Sequence, residues 1–352
     1  MHAANSVAVV VPAFNASRWI GETLASVGAQ TVNPASLEVI VVDDGSTDDT
    51  AERARTVLAS LPFRSRVLCQ ANAGPSRARN LGWASCESEW IEFLDADDLL
   101  HPEKLARQID TGMRAGPEAA VVYCPWQAFG TIDTRWEQPR RVARPRLEGD
   151  TVTALLDGGN AVPTGAQLFR RSWLERVGGW DERWRNGEDH DLYFRVAFAG
   201  GRFVCADADE PLFFYRRHPP AVGSLSNRSG RVNAETWLRV AADVEERSRA
   251  LGDLPPERAA RIAHLYAGCA KWLAEFDWRA ARPWLDRLER LHPGYVPDWS
   301  GRLRLLSRLT GYRRAVWLAA RLRRLRGPAD PSPHLVEVAP PLRGSPASAS
   351  AT

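Results

Sequence analysis

Three short apolar runs each stop in polar or acidic residues, and this recurrence constrains the fold more than any other feature of the chain. "VAVVV" (7–11) runs into Pro12, Ala13, Phe14 and Asn15. "LEVIVV" (37–42) runs into Asp43, Asp44, Gly45 and Ser46, and "WIEFL" (90–94) into Asp95, Ala96, Asp97 and Asp98. Short β-branched runs without polar alternation suit strands covered on both faces. Pro12 and Asn15 read as breakers of the first strand. Apolar residues at helical spacing mark Trp19–Gln30, and further helices are expected at Ser76–Ser85 and, with Pro at its start, Pro102–Ala115. Ser46 or Thr47 is expected to cap a helix whose first turn carries Asp48 and Asp49, favourable at the positive helix end. Arg66–Cys69 and Ala120–Cys124 read as further strands. Strands alternating with helices predict an α/β fold with a mostly parallel sheet flanked by helices. The C-terminal ends of parallel strands share one edge, where ligands bind. Acids distant in sequence are therefore expected to converge there.

The pattern loosens downstream. Residues 126–165 mix Trp, Pro, Gly and Arg, as loops and edge strands do. Helical spacing returns at Ser172–Val177 and Asp189–Ala199, and strands are expected at Phe203–Ala206 and Leu212–Arg217. Residues 232–326 read as wholly helical, and 327–352, rich in Pro, Ser and Ala, as a disordered tail.

Composition narrows the classes of function. Hydrophobic content of 44% and charged content of 25% are those of a soluble protein. A net charge of +3 is too small to argue for a nucleic-acid partner, and none is expected. Basic charge is almost all arginine, Lys104 and Lys271 being the lysines. No apolar run approaches the ~18 residues of a membrane span. No basic segment with a cleavage site precedes "VAVVV", so no signal peptide is expected. The five cysteines are scattered without C-x-x-C, which reads as reduced core thiols of a cytosolic protein and no zinc site.

Asp95 and Asp97 stand two apart, so in extended backbone they point the same way. Two carboxylates aimed at one point repel unless a cation lies between them. A hard divalent ion, Mg²⁺ or Mn²⁺, fits oxygen ligands and also binds substrate phosphates. The competing reading makes Asp97 or Asp98 the cap of the helix at Pro102, and Asp43 and Asp44 simple turn residues. "DDGSTDDT" follows a strand, and the twelfth position from Asp43 is Ala54, so it is no EF-hand. G-x-G-x-x-G and G-x-x-x-x-G-K-[ST] are both missing, and "GGNAVPTG" is no G-x-S-x-G elbow.

A second dense patch is "GGWDERWRNGEDHDLYFRVAFAGGRF" (178–203). Glu188, Asp189 and Asp191 open an amphipathic helix with Leu192, Val196 and Ala199 inward. Gly187 supplies the turn before it, flanked by Trp180 and Trp184. Helix-dipole complementarity alone favours acids there, while a carboxylate in an aromatic-walled cleft also suits a general base. "FFYRRHPPAVGSLS" (213–226) brings Tyr215, Arg216, Arg217 and His218, donors suited to a phosphate. His218 reads equally as a surface histidine.

Four stretches in register over residues 6–220 resemble glycosyltransferase family 2: "VVVPAFNASRWIGETLASVGAQT", "LEVIVVDDGSTDDT", "QANAGPSRARNLGWASCESEWIEFLDADD" and "TGAQLFRRSWLERVGGWDERWRNGEDHDLYFRVA". The resemblance implies a GT-A fold, a nucleoside-diphosphate sugar donor, a divalent metal and inversion at the anomeric carbon. It implies a catalytic domain over 1–230, with a nucleotide-binding half at 1–125 and an acceptor-binding half at 126–230, before the helical region 231–326. Phe14 would stack on the nucleobase and Asp43 would accept from its ring, with Pro12, Asn15 and Asp44 in the same donor-binding stretches. Arg79, and less directly Arg77, would meet the nucleotide. Asp95 would face the ribose and Asp97 the metal. Asp189 would be the catalytic base with Glu188 beside it, and Arg216 and His218 would reach the diphosphate or its metal. Family habit favours a UDP-linked donor. The acceptor would be a saccharide or a lipid-linked glycan.

Other readings stay open. A sugar nucleotidyltransferase is expected to carry a Gly-rich loop where "PAFNASRW" stands, and a glycoside hydrolase pairs carboxylates without nucleotide or metal. A degenerate transferase kept for binding would be expected to lose Asp43, Asp97 or Asp189. "RWEQPRRVARPR" (135–146) is either a solvated loop or a contact for an anionic acceptor. The Arg-rich segment 301–327 is either a bundle helix with a solvated basic face or a surface that lies on an anionic membrane. The second option predicts a cytoplasmic protein attached at the inner face of the cell membrane.

Overall fold

The computed structural model describes residues 5–132, 135–136, 142–147, 149–157, 160–184, 186–206, 208–218, 230–298 and 300–325. The expected tail at 327–352 and parts of the 135–146 and 213–226 stretches lie outside these residues. The chain divides into two compact units, Met1–Thr151 with Val162–Pro219, and Val152–Ala161 with Pro220–Thr352.

The strands in chain order are β1 (Val7–Ala13), β2 (Leu37–Asp43), β3 (Arg64–Cys69), β4 (Trp90–Phe93), β5 (Leu99–Leu100), β6 (Ala119–Tyr123), β7 (Trp126–Ile132), β8 (Arg135–Trp136), β9 (Gln167–Arg170), β10 (Arg202–Cys205) and β11 (Phe213–Arg217). Helices α1 (Ile20–Gly28), α2 (Thr50–Leu58), α3 (Pro75–Ala84), α4 (Lys104–Ala115), α5 (Thr151–Leu155), α6 (Arg171–Val177) and α7 (Glu188–Phe198) alternate with them. Seven strands form the main sheet in the order β10-β6-β9-β4-β1-β2-β3. All its pairings are parallel except those of β9, which runs antiparallel to both β4 and β6. A smaller sheet has the order β5-β11-β7-β8.

The alternation seen in the sequence follows from burial. Val7 to Val11 are fully buried in the middle of the sheet, with α3 packed on β1. Close approach requires glycine at two helix positions. A Cβ on Gly82 of α3 would come within 2.3 Å of Val10, and one on Gly112 of α4 within 2.3 Å of the Trp90 ring. Beneath the sheet, Lys104 Nζ reaches Glu92 Oε2 at 2.6 Å with both side chains wholly buried.

Several boundaries differ from expectation. Pro12 does not break β1, which continues to Ala13. Even-numbered residues of β1 face β4, as Leu94 donating to the Val10 carbonyl shows. Since β4 pairs only as far as Val10, the missing N–H of Pro12 leaves no ladder bond unmade. Helix α2 starts at Thr50, not after Ser46 or Thr47, because Asp48 turns back on the backbone N–H groups of Thr50 and Ser17. Helix α4 starts at Lys104, beyond the reach of Asp97 or Asp98, and β5 intervenes. Strand β9 was not expected; four residues that include Gln167 and Arg170 give no readable period. The cysteines are free, but only Cys86, Cys124 and Cys269 are buried. Cys69 is exposed because it ends the edge strand β3, and Cys205 is half-buried.

The second unit holds all of α5 but its first residue, with α8 (Gly230–Ala250), α9 (Pro256–Phe276), α10 (Trp278–Leu291), α11 (Gly301–Thr310) and α12 (Tyr312–Leu325). Leu238, Val244, Ile262, Leu273, Leu285 and Val316 fill its core. Glu245 ties three helices together by accepting from Tyr266 Oη at 2.9 Å and Arg287 Nε at 2.7 Å. The region expected to be wholly helical is interrupted, most clearly at residues 292–298. Among the described residues no helix is long and apolar enough to cross a membrane.

Candidate active site

The C-terminal ends of β1, β2 and β4 lie side by side, since Ala13 pairs with Asp43 and Val10 with Phe93. The loops after β1 and β2 are stitched together by short polar side chains. Asn15 N–H donates to Ser46 Oγ at 2.9 Å, Thr47 N–H to Asn15 Oδ1 at 2.8 Å, and Ala16 N–H to Thr50 Oγ1 at 2.8 Å. Asn15 adopts φ 49° to make this turn, a left-handed conformation that Asn tolerates. Phe14 is left half-exposed at the rim. Asp43 is buried at the same edge, and its Oδ1 has no hydrogen-bond partner among the described residues.

Asp44 goes elsewhere. Its carboxylate turns into the 70–74 segment, accepting from Gln70 Nε2 at 2.7 Å and from the N–H groups of Ala73 and Gly74 at 2.8 Å each. Adjacent strand residues face opposite ways, so Asp43 and Asp44 serve different surroundings. Asp44 sets the loop that leads into α3, and α3 carries Arg79.

Beyond β4 the three acids also part company. The strand ends at Phe93, and a turn follows in which Asp98 N–H donates to the Asp95 carbonyl at 3.1 Å. Asp95 and Asp97 are therefore not parallel as extended backbone would make them. Asp95 Oδ1 accepts from Arg79 Nη2 at 2.8 Å. Asp97 Oδ2 lies 2.5 Å from His218 Nε2. Asp98, buried, accepts the backbone N–H of Arg216 at 2.6 Å. Burial, with Asp97 and Asp95 close by, pushes the Asp98 carboxyl well above the usual range.

Arg79 joins the acidic turn to α7. Its Nη1 meets Glu188 Oε1 at 3.3 Å, and its guanidinium lies 4.5 Å over the buried Trp180 ring. Burial works against its charge, but Asp95, Glu188 and Asp189 outweigh burial and raise its pKa. Burial also raises the Glu188 pKa, with the neighbouring Asp189 charge adding to it and Arg79 opposing it. Gly187, at φ 74°, makes the sharp turn that starts α7 on these acids. Asp189 accepts the His190 N–H at 2.8 Å, and its side chain is one-third exposed. Asp191 is not part of the group; it pairs with Arg195 at 2.7 Å within the helix. Trp184 sits in the turn after Asp181, and Arg77 is exposed.

The small sheet delivers the last two residues. Strand β11 pairs with β5, the strand directly after the acidic turn. That pairing brings Arg216 Nε to the Asp97 carbonyl at 2.6 Å and Arg216 Nη2 to Glu22 Oε2 at 2.6 Å. Trp19 packs under both, 4.6 Å from the Arg216 guanidinium and 5.2 Å from the His218 ring. Sequence reasoning missed Trp19 and Glu22; their signal was a polar and aromatic "SRWIGE" just after the first strand end. A separate trio of possible ligands, His101, Glu103 and Glu210, is already bridged by Arg107, at 2.5 Å to Glu103 and 3.4 Å to Glu210.

The model of the family described as Glycosyl transferase family 2 matches residues 8–178. An uncharacterized glycosyltransferase of Escherichia coli K12, YibD, is 37% identical over 246 residues, 66% of this chain and 67% of its own length. Succinoglycan biosynthesis protein ExoU of Rhizobium meliloti is 31% identical over 206 residues, 57% of this chain and 59% of its own length. The chain spans less than two thirds of ExoU and of a glycosyltransferase of Nostoc. Among solved structures, S. aureus TarS 1–349 in complex with UDP matches with a TM-score of 0.56 at 18% identity, over 90% of this chain and 91% of that one. Mannosyltransferase PcManGT from Pyrobaculum calidifontis, in complex with GDP-Man and Mn²⁺, matches with a TM-score of 0.52 at 20% identity, over 91% of this chain and 86% of that one. These likenesses give the fold, a GT-A type sheet followed by helices. The chain belongs to glycosyltransferase family 2.

Proposed function

We propose that the chain transfers a sugar, with inversion, from a nucleoside-diphosphate sugar to a hydroxyl of a saccharide or lipid-linked acceptor. The observation that carries this reading is the contrast between two adjacent acids. Glu188 is tied to Arg79 and largely buried, whereas Asp189 is more exposed, its Oδ1 accepting the His190 N–H with the His190 ring 4.0 Å away and its Oδ2 making no hydrogen bond among the described residues. A general base needs such an open oxygen within reach of the attacking hydroxyl. In the reaction the acceptor oxygen bonds to the anomeric carbon from the face opposite the diphosphate. Its proton passes to Asp189, and the electron pair of the broken C–O bond leaves with the diphosphate.

The donor would lie along the edge formed by β1, β2 and β4. The unpartnered Asp43 Oδ1 suits the ring N–H of a base such as uracil, with the exposed Phe14 ring on the base face. Asp95, held by Arg79 and partly exposed, suits the ribose side. UDP in the TarS complex supports a UDP-linked donor, although the mannosyltransferase complex holds GDP-Man.

A divalent ion fits the residues present. Asp97 and His218 offer one carboxylate oxygen and one imidazole nitrogen, now hydrogen-bonded to each other at 2.5 Å and close enough to turn onto one ion. Mg²⁺ and Mn²⁺ complete such a pair with water and donor phosphates. When bound, the ion would supply Lewis-acid stabilisation of the departing diphosphate. Arg216 fixes the turn by holding the Asp97 carbonyl.

ExoU's naming for succinoglycan biosynthesis supports a polysaccharide acceptor. The test is a nucleotide-release assay over UDP-, GDP- and dTDP-sugars with Mn²⁺ and extracts of glycan acceptors. Acceptor-dependent release from one donor class is expected. Pyrophosphate release, or no release from any donor, would overturn the reading.

A further inference from the structure

The solvent faces of α11 and α12 break the usual rule for a soluble bundle. On α11 the exposed positions are 301, 302, 305, 308 and 309, one face at helical spacing. They carry Arg302, Leu305, Arg308 and Leu309, with Leu303 and Ser307 buried on the opposite side. On α12 the exposed positions include Arg314, Trp317, Arg321 and Leu322, again at helical spacing. Leu305 is 63% exposed, Leu309 75%, Leu322 57% and Trp317 39%. Single exposed leucines are ordinary. Among the described residues, half of the exposed side chains of these two helices are large and apolar.

The charged half of the face is equally one-sided. Residues 301–325 contain eight arginines and no acidic residue. Arg313 is matched from α10 by Asp286 at 2.8 Å, whereas Arg302, Arg308 and Arg314 have no carboxylate partner among the described residues. By contrast, α8 exposes Glu246 and α10 exposes Glu289. A helix that only needed water would mix in such acids.

We propose that α11 and α12 form a docking face for an anionic lipid bilayer. The leucines and Trp317 would enter the interface while the arginines meet lipid phosphates, their stems lying along the apolar boundary. Both halves of the face are needed for this occupant. A soluble polyanion such as RNA would use the arginines and leave Leu305, Leu309 and Leu322 in water. A second copy on the same face would set arginine against arginine. The proposal rests on no role assigned in the catalytic unit.

The test is co-sedimentation of the full chain with vesicles of phosphatidylcholine alone and with phosphatidylglycerol added. Two variants accompany the wild type: Leu305→Ser/Leu309→Ser/Trp317→Ser/Leu322→Ser, and Arg302→Gln/Arg308→Gln/Arg314→Gln/Arg321→Gln. These side chains are exposed, so both variants should fold, with helicity checked by circular dichroism. The wild type is expected to sediment with anionic vesicles, less at high salt. Both variants should partition at least about a hundredfold more weakly. Nucleotide release with a soluble acceptor should be unchanged, so failure here is read separately from failure of the catalytic reading. Equal sedimentation of the wild type and either variant would overturn the proposal. So would a vesicle-free dimer that the serine variant dissociates, or RNA binding that competes with no vesicle association.

Discussion

His218 Nε2 lies 2.5 Å from Asp97 Oδ2, joining the acidic turn after β4 to the end of β11 across 121 residues of sequence. The pairing exists because β11 adds to β5, which directly continues that turn. On the proposed reading, this carboxylate and imidazole would offer two of the six ligands of a divalent ion, with water and donor phosphates supplying the rest.

Asp97→Ala and His218→Ala should therefore weaken the dependence on Mn²⁺ as well as the rate. The carboxylate change should cost about 10²- to 10⁴-fold in kcat, the several kcal/mol that charge stabilisation by an ion supplies. The His218 change should raise the Mn²⁺ concentration needed for half-maximal activity more than it lowers kcat. Metal titrations of nucleotide release check both, and wild-type activity that survives a chelator would refute the assignment.

Arg79 is expected to act as a positioning residue. Arg79→Leu leaves Asp95 and Glu188 without their shared cation, and with Glu188 mostly buried the fold should lose about 3 kcal/mol. Arg79→Lys should restore little, because an ammonium cannot bridge both carboxylates and stack on Trp180. Urea denaturation of the two variants, with donor KM measured beside kcat, distinguishes lost positioning from lost stability.

Glu92 and Lys104 form a wholly buried pair, and burial raises the Glu92 pKa to about 7 against the pull of Lys104. The native state thus holds this proton more tightly than the unfolded chain. The sign follows directly: stability contributed by this group falls as pH rises from about 4.5 towards about 7. Glu92→Gln should flatten that slope. Lys104→Met should destabilise by about 3 kcal/mol, leaving a buried acid unpaired. Denaturant midpoints across that pH range test both statements.

The edge of the sheet was legible in the sequence because packing alone gives a buried strand no reason to stop in acids. The partition of those acids was not. Asp43 and Asp44 are the same letter, yet one points to the edge and the other caps the 70–74 loop. Asp95 and Asp97 looked parallel only on the assumption that the strand continued past Phe93. The Arg79–Glu188 contact spans 109 residues, and no local pattern encodes it. Strand β9 has no period to read, since its four residues borrow their burial from β4 and β6. The basic α11–α12 segment was visible as composition, but which leucines face solvent depended on the packing of Leu303 and Val316.

The central claim is that Asp189 takes the acceptor proton while the neighbouring acids hold the donor. Its most direct test is Asp189→Asn, with kcat from nucleotide release and donor affinity from calorimetry on the same preparation. The account predicts that kcat falls about 10²- to 10⁴-fold with donor affinity within about twofold of wild type. An unchanged kcat, or a loss that merely tracks weakened donor binding, would contradict it.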